Sequence, residues 1–189
     1  MKVEEAPIPG VLVVEPRRFG DDRGFFCEVW NRKTAAAHGI DFDFVQDNQS
    51  LSETRGTVRG LHYQSPPHAQ GKLVRCGKGA VWDVAVDVRV GSPTYGRWTG
   101  VELSAENGRQ LFVPAGCLHG FSTLTDDCEV LYKCTDYYAP EADGSVRFDS
   151  SGLDIDWHLG GTEAVLSAKD AHAPSFDAWD SPFKWEAAA

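Results

Sequence analysis

The chain has 189 residues, of which 42% are hydrophobic, and carries a formal net charge of -10. A chain of this length can build one large core, so we expect a single domain over residues 1–189. The acidic balance argues against a nucleic-acid-binding surface, which is normally basic. A local cluster of cations can nevertheless hold a small anionic ligand in a cleft.

The N-terminal segment and the cysteines indicate which cellular compartment to expect. The N-terminal MKVEEAPIPG lacks the apolar segment of a secretion signal, and no apolar run is long enough to span a bilayer. Five cysteines are an odd number, and none has CxxC spacing, so neither a disulfide framework nor a zinc site is predicted. We expect a soluble cytoplasmic protein that contacts neither nucleic acid nor membrane.

Short strand-like runs separated by turns dominate the chain and predict an all-β sandwich or barrel of the jelly-roll kind. Thr34–His38 is the best helical candidate, and loops with a short helix are expected from Ala139 onward. Ala80–Arg89 is almost continuously β-branched, which is typical of a central strand. The other predicted strands are Val11–Glu15, Gly24–Trp30 after a turn at Phe19–Asp22, Asp43–Ser50, Thr57–Gln64, Tyr95–Leu103, Gln110–Pro114, Gly120–Leu124 and Cys128–Tyr138.

The stretch from Arg59 to Cys76 is basic in an otherwise acidic protein. It contains five basic residues, which are Arg59, His62, His68, Lys72 and Arg75. Cations at alternate positions of a strand share one face, although the relative facing of the last two is open here. A solvated strand edge is the simpler interpretation. Because a very apolar run follows, we expect these cations beside the core, inside a cleft.

A second pattern is G-x5-P-x-G-x2-H, formed by Gly108, Pro114, Gly116 and His119. It resembles the second motif of the cupin superfamily, a jelly-roll barrel with its active site at the mouth. Metal-binding cupins carry an H-x-H pair in the first motif, whereas this chain has His-Tyr-Gln at 62–64 and a lysine nearby. The missing ligand and the added positive charge predict that no metal is bound, which disfavours a metal-dependent oxygenase.

His62 is then available for acid–base chemistry, unless it is a hydrogen-bonded core histidine. A neutral imidazole with an orienting carboxylate is a competent general base. Asp83, Asp87 and Asp170 are all candidates for that carboxylate, and spacing does not choose among them. Tyr132 lies in a strand-like run among apolar residues, where it is either a core residue or a general acid.

Seven segments that keep their order over nearly the whole chain resemble the dTDP-4-dehydrorhamnose 3,5-epimerase family. They are DDRGFFCEVW (21–30), FVQDNQS (44–50), VRGLHYQSPPHAQGKLVRC (58–76), VWDVAVDVR (81–89), RQLFVPAGCLHGF (109–121), VLYKCTDYYAPEAD (130–143) and LSAKD (166–170). The resemblance implies an all-β, cupin-like jelly-roll barrel with short peripheral helices. It also implies a homodimer, with exchange of the N-terminal strand, that uses neither metal nor cofactor.

The implied reaction inverts C3, C5 or both in a dTDP-4-keto-6-deoxyhexose, in rhamnose or antibiotic deoxysugar biosynthesis. The 4-ketone acidifies the hydrogens on both neighbouring carbons, and a fixed cation stabilises the enolate that forms. The resemblance makes His62 the general base, Tyr132 the acid on the opposite face and Asp170 the partner of the histidine. A non-catalytic sugar-nucleotide-binding cupin and a dTDP-sugar ketoisomerase remain the alternatives.

The resemblance also implies a set of substrate-binding residues. Contacts to the sugar and diphosphate fall on Arg59, Lys72 and His119. Nucleotide contacts fall on Gln46 and Asn48, thymine stacking on Tyr138, and further binding positions on Asp143 and Lys169. Three more residues are expected to reach the nucleotide from the partner subunit, namely Arg23, Phe25 and Glu28.

Overall fold

The computed structural model describes residues 1–186, so the last three residues of the expected 1–189 domain lie outside the described residues. Two short helices, α1 (Arg32–Ala36) and α2 (Ala168–Ala171), and a 3-10 turn at Phe176–Ala178 accompany the strands. The strands are β1 (Lys2–Glu5), β2 (Leu12–Glu15), β3 (Arg18–Asp21), β4 (Gly24–Cys27), β5 (Gln46–Ser52), β6 (Val58–Gln64), β7 (Lys72–Lys78), β8 (Ala80–Asp87), β9 (Trp98–Ser104), β10 (Gln110–Val113), β11 (Cys117–Thr123), β12 (Cys128–Cys134) and β13 (Asp143–Ser145).

The strands form two main antiparallel sheets and a separate β3–β4 hairpin. The six-stranded sheet has the order β1-β2-β10-β7-β12-β5, and the five-stranded sheet has the order β13-β6-β11-β8-β9. Val74 and Leu111 of the first sheet pack with Val81 and Phe121 of the second in one buried cluster. This two-sheet arrangement confirms the predicted jelly-roll fold.

The first helix begins two residues earlier than predicted, at Arg32 instead of Thr34. The side chain of Asn31 accepts a hydrogen bond from the Thr34 backbone N–H at 3.2 Å, and such a cap fixes where a helix starts. The predicted turn at Phe19–Asp22 is also wrong. Most of it is strand β3, and the reversal falls at residues 22–23, before Gly24 with a φ of +131°.

Strand β7 was not among the predicted strands, although it lies between β10 and β12 within the larger sheet. Its side chains alternate between the two faces of the sheet. Lys72, Val74 and Cys76 therefore face the inter-sheet space, while Leu73 and Arg75 face outward. The basic stretch is thus divided between the two faces.

A close approach of two glycines brings β6 and β11 together beside the histidines. A Cβ on Gly60 would lie 2.6 Å from the Cα of Gly120, and the φ of Gly60 is +127°. Both facts require glycine at position 60. His62 is paired with His119 across the two strands, with an irregularity in register between His119 and Phe121.

The chain after β13 covers the outer face of the five-stranded sheet. Leu153, Trp157 and Phe183 pack there against Val58 and Leu61 of β6. This covering segment also contains α2, which therefore lies close to the strand that carries His62. Within residues 1–186, none of the helices has the length and apolarity needed to cross a membrane.

Candidate active site

A cavity of about 360 Å³ opens beside the two histidines and receives side chains from both sheets. A second cavity of about 260 Å³ adjoins it, and His62, Lys72, Tyr132 and Lys169 line both. We call the two together the cleft. The first cavity is lined by Ser50, Thr57, Val58, Arg59, His62, Lys72, His119, Phe121, Tyr132, Val165, Leu166, Ser167, Lys169 and Asp170.

The structure brings His62 and Asp170 into contact across 108 residues of sequence. Nε2 of His62 lies 2.6 Å from Oδ1 of Asp170. The imidazole side chain is 31% exposed, whereas the aspartate side chain is 3% exposed. An ionised carboxylate only accepts hydrogen bonds, so it requires the hydrogen on Nε2 and leaves the lone pair on Nδ1.

Asp170 is held at the start of α2 by Ser167, the residue that caps this helix. The Ser167 hydroxyl donates to Oδ2 of Asp170 at 2.9 Å and accepts from the Asp170 backbone N–H at 3.1 Å. Burial opposes ionisation of the carboxyl group. The hydrogen bonds that the carboxylate accepts from His62 and Ser167 outweigh burial and hold the pKa of Asp170 below its ordinary value.

A second histidine–aspartate pair lies on the neighbouring strands. Nε2 of His119 lies 3.0 and 3.1 Å from the two carboxylate oxygens of Asp83. Asp87, the third candidate partner for His62, instead contacts Arg89. Nε of Arg89 lies 2.8 Å from Oδ1 of Asp87. The three aspartates therefore have three different partners.

The opposite wall of the cleft contributes Tyr132 from β12 and Lys72 from β7. The Lys72 ammonium lies 5.9 Å from the centre of the Tyr132 ring. Burial raises the pKa of the Tyr132 phenol, so the hydroxyl keeps its proton at neutral pH. Burial likewise lowers the pKa of Lys72, while nearby acidic groups act in the opposite direction.

Arg59 lies at the rim of the first cavity and is fixed by β5. Its Nε donates to the Ser52 hydroxyl at 3.0 Å, and a terminal nitrogen donates to the Leu51 carbonyl at 2.9 Å. These bonds occupy part of the donor fork of the guanidinium group and fix its orientation.

The residues expected at the nucleotide line the second cavity. Gln46 and Asn48 project from β5, and their side chains are joined by a 3.1 Å hydrogen bond. Asp143 forms an ion pair with Lys169 and lies 3.4 Å from the Tyr138 hydroxyl. One part of the wall of the second cavity is therefore formed by Lys72 together with Gln46, Asn48, Tyr138, Asp143 and Lys169.

The three residues expected to act from a partner subunit lie away from the cleft of their own chain. Arg23 forms an ion pair with Asp21 at 2.5 Å within the β3–β4 hairpin. Phe25 is 58% exposed, with the Arg18 guanidinium 4.3 Å from its ring centre. Glu28 accepts a hydrogen bond from Asn31 at 3.1 Å. Their role at the nucleotide stays a prediction.

Two partners in the site were not anticipated from the sequence. Pairing of Asp83 with His119 depends on the registers of β8 and β11, which the local pattern does not contain. Ser167 has a recognisable signal, because a serine three residues before an acidic residue is typical of a helix N-terminus. Reading SAKD as a helix start would have identified it.

Gln64 stands where a metal-binding cupin has a second histidine, and its amide is engaged by the backbone. Its Nε2 donates to the carbonyls of His68 at 2.7 Å and Tyr137 at 3.1 Å, and its Oε1 accepts from the Ala139 N–H. In residues 1–186 no group of three or more His, Cys, Asp or Glu residues is placed to hold a metal ion.

Comparison with known proteins assigns the family. A family model described as dTDP-4-dehydrorhamnose 3,5-epimerase matches residues 5–178. An enzyme of that name from Sinorhizobium fredii is 52% identical over 175 residues, covering 93% of this chain and 89% of the relative. The chain belongs to the dTDP-4-dehydrorhamnose 3,5-epimerase family. This confirms the resemblance seen in the seven segments and makes the chain a member of an isomerase family.

Two solved structures of epimerases are similar over most of their length. The dTDP-6-deoxy-D-glucose-3,5-epimerase from Legionella pneumophila, in complex with dTDP-4-keto-L-rhamnose, has a TM-score of 0.93 and 45% identity, covering 98% of this chain and 99% of its own. ChmJ, a 3'-monoepimerase from Streptomyces bikiniensis in complex with dTDP-quinovose, has a TM-score of 0.85 and 38% identity, covering 92% and 87%. The epimerase family thus includes enzymes that act at one centre.

Proposed function

We propose that this protein inverts C3 and C5 of a dTDP-4-keto-6-deoxyhexose, without a cofactor, in deoxysugar biosynthesis. The observation that carries the proposal is the pairing of a base and an acid from different sheets around one cleft. His62 with Asp170 lies on the side of the five-stranded sheet, while Tyr132 and Lys72 come from the six-stranded sheet. Inversion of a carbon requires such an arrangement, because the proton must leave one face and return to the other.

The first step is removal of the proton from a carbon next to the ketone. Nδ1 of His62 accepts this proton, and the ionised carboxylate of Asp170 stabilises the imidazolium that forms. The electron pair of the broken C–H bond moves into the enolate, whose oxygen becomes negative. The Lys72 ammonium stabilises that charge in the partly desolvated cleft.

The second step is protonation on the opposite face. The Tyr132 hydroxyl donates its proton to the enolate carbon, and the C=O bond of the ketone is restored. Solvent then returns a proton to the phenolate and takes one from His62, so the site is regenerated and nothing is oxidised. The raised pKa of Tyr132 suits this role, because the group is protonated before the reaction.

The substrate class is supported by charge and by relatives. Arg59, Lys72 and Lys169 supply positive charge to the cleft of a protein with a net charge of -10. The relatives at 52% and 45% identity are 3,5-epimerases, whereas the 3'-monoepimerase is 38% identical. We therefore favour inversion at both carbons, with the thymine stacked on Tyr138 and the diphosphate near Arg59 and His119.

The working form is proposed to be a cytoplasmic homodimer. The exposed β3–β4 hairpin supports this, since Phe19, Phe25 and Phe26 are 50%, 58% and 70% exposed. Strand β1 pairs with β2 of the same chain at one edge of the larger sheet, a position from which it can cross to a partner. Four buried thiols and the partly buried Cys27 are all free, as expected in a reducing compartment.

Proton NMR of dTDP-4-keto-6-deoxyglucose in deuterated water tests the proposed reaction. Deuterium should appear at both C3 and C5, with product inverted at both carbons. Deuterium at one carbon only would restrict the enzyme to a single centre, and movement of the keto group would identify a ketoisomerase. Binding without any exchange would contradict the enzymatic proposal.

A further inference from the structure

Cys134 is a buried thiol at the floor of the cleft that the proposed mechanism does not use. It is 1% exposed, and it lies on β12 directly between Gln46 of β5 and Lys72 of β7. Nδ2 of Asn48 lies 3.6 Å from its sulfur, a normal distance for a hydrogen bond to sulfur. The thiol therefore lies between the Asn48 amide, which is expected at the nucleotide, and Lys72, which is expected at the reacting sugar.

Three hydrogen bonds form one directed chain that ends at this thiol. The backbone N–H of Tyr138 donates to Oε1 of Gln46 at 2.8 Å. Nε2 of Gln46 then donates to Oδ1 of Asn48 at 3.1 Å, and Nδ2 of Asn48 donates to Cys134. We call these three bonds the amide relay.

The backbone N–H fixes the direction of the whole amide relay. It can only donate, so it must meet the oxygen of the Gln46 amide, which leaves the nitrogen toward Asn48. The same argument places the oxygen of Asn48 toward Gln46 and its nitrogen toward the sulfur. Each amide nitrogen then keeps one further N–H for a ligand in the cavity that both residues line.

We infer that Cys134 is a positioning residue that holds Asn48, and through it Gln46, with N–H donors toward the nucleotide. The two amides then recognise acceptor oxygens, such as the carbonyls of a pyrimidine or the oxygens of a phosphate. Burial raises the pKa of the thiol, which keeps the relay end neutral beside Lys72. The inference rests on the proposed function, because it concerns the nucleotide end of that substrate.

Loss of the sulfur should weaken binding and leave chemistry unchanged. In Cys134→Ala we expect the Kd for dTDP and the KM for the sugar nucleotide to rise by about three- to tenfold, with kcat within about twofold. Cys134→Ser, which keeps a hydrogen-bonding group, should return both to within about twofold of the parent. Cys76→Ala is the matched control, because Cys76 is a buried thiol on β7 whose sulfur contacts the Lys78 carbonyl instead.

A measurement without ligand separates this inference from the proposed substrate. In ¹⁵N-labelled protein, the side-chain amide protons of Asn48 should exchange with water about fivefold faster in Cys134→Ala than in Cys76→Ala. Equal exchange, or equal dTDP affinity in the two variants, would overturn the positioning role. If the Asn48 side-chain amide protons exchange faster in Cys134→Ala as expected, but the parent protein binds no dTDP, the proposed substrate is wrong and the amide relay is still supported.

Discussion

His62 and His119 lie opposite each other on neighbouring strands, and each contacts a buried aspartate. Their surroundings differ. The His62 side chain is 31% exposed and its partner comes from α2, whereas the His119 side chain is 9% exposed and its partner, Asp83, comes from the adjacent strand β8. Both rings line the same cavity.

The difference in exposure indicates that the two histidine–aspartate pairs have different roles. A general base must reach the substrate and exchange its proton with solvent after each turnover, which the half-buried His62 permits. His119 is held by Asp83 of the adjacent strand and is better suited to shaping and polarising the wall of the cleft where the diphosphate is proposed to bind. We therefore assign proton transfer to the first pair alone, and the following predictions test that division.

The largest effect is expected from removing the exposed imidazole. His62→Ala should slow deuterium incorporation at both carbons by about two to four orders of magnitude, because the change removes the group proposed as the general base. The affinity for dTDP, measured by calorimetry, should change little. His38→Ala, which removes an exposed histidine after α1, is the control, and near-parental exchange in His62→Ala would exclude this residue as the base.

An intermediate effect is expected from Asp170→Asn. The amide preserves the shape of the side chain but no longer stabilises the imidazolium or requires hydrogen on Nε2. We expect kcat for epimerisation to fall by about 100-fold with a much smaller change in KM. A loss confined to KM would mean that Asp170 acts on substrate binding.

The smallest effect on rate is expected from Asp83→Asn, the equivalent change in the buried pair. It should lower kcat by less than about tenfold and lower the free energy of unfolding by about 1–3 kcal/mol, because the buried hydrogen bonding between Asp83 and His119 is weakened. Urea unfolding and steady-state kinetics measure the two quantities. If Asp83→Asn lowers kcat as strongly as Asp170→Asn, the division between the pairs is wrong.

The fold was largely predictable because its determinants are local. Alternating apolar residues and frequent turns mark most strands, and the predicted bounds differ from the observed ones by a few residues. Strand β7 was missed because Lys72 and Arg75 obscure its apolar character, although they face opposite sides of the sheet. The capped start of α1 was missed because Asn31 lies outside the alanine-rich run.

The site was predictable only in part because its contacts are made in three dimensions. His62 and Asp170 are 108 positions apart, and composition does not distinguish Asp170 from Asp83 or Asp87. The family resemblance selected Asp170, and the structure places it against His62. The role predicted for Arg23, Phe25 and Glu28 would require a second subunit, because within one chain these residues lie away from the cleft.

The proposed placement of the base and the acid on opposite faces of the cleft is tested most directly by Tyr132→Phe. This change keeps the ring and removes the hydroxyl that is proposed to deliver the proton. His62 can still remove a substrate proton and return one to the same face, so deuterium should continue to enter the substrate. Inverted product should form about 100-fold more slowly or worse.

The measurement is the ratio of deuterium incorporation to inversion, followed by proton NMR in deuterated water. Tyr137→Phe is the control, since Tyr137 is 65% exposed on the neighbouring loop. A proton donor at Tyr132 should give a ratio that rises strongly in Tyr132→Phe and stays at the parental value in Tyr137→Phe. Inversion at the parental rate in Tyr132→Phe would contradict this role, because the acid on the second face would then be another group.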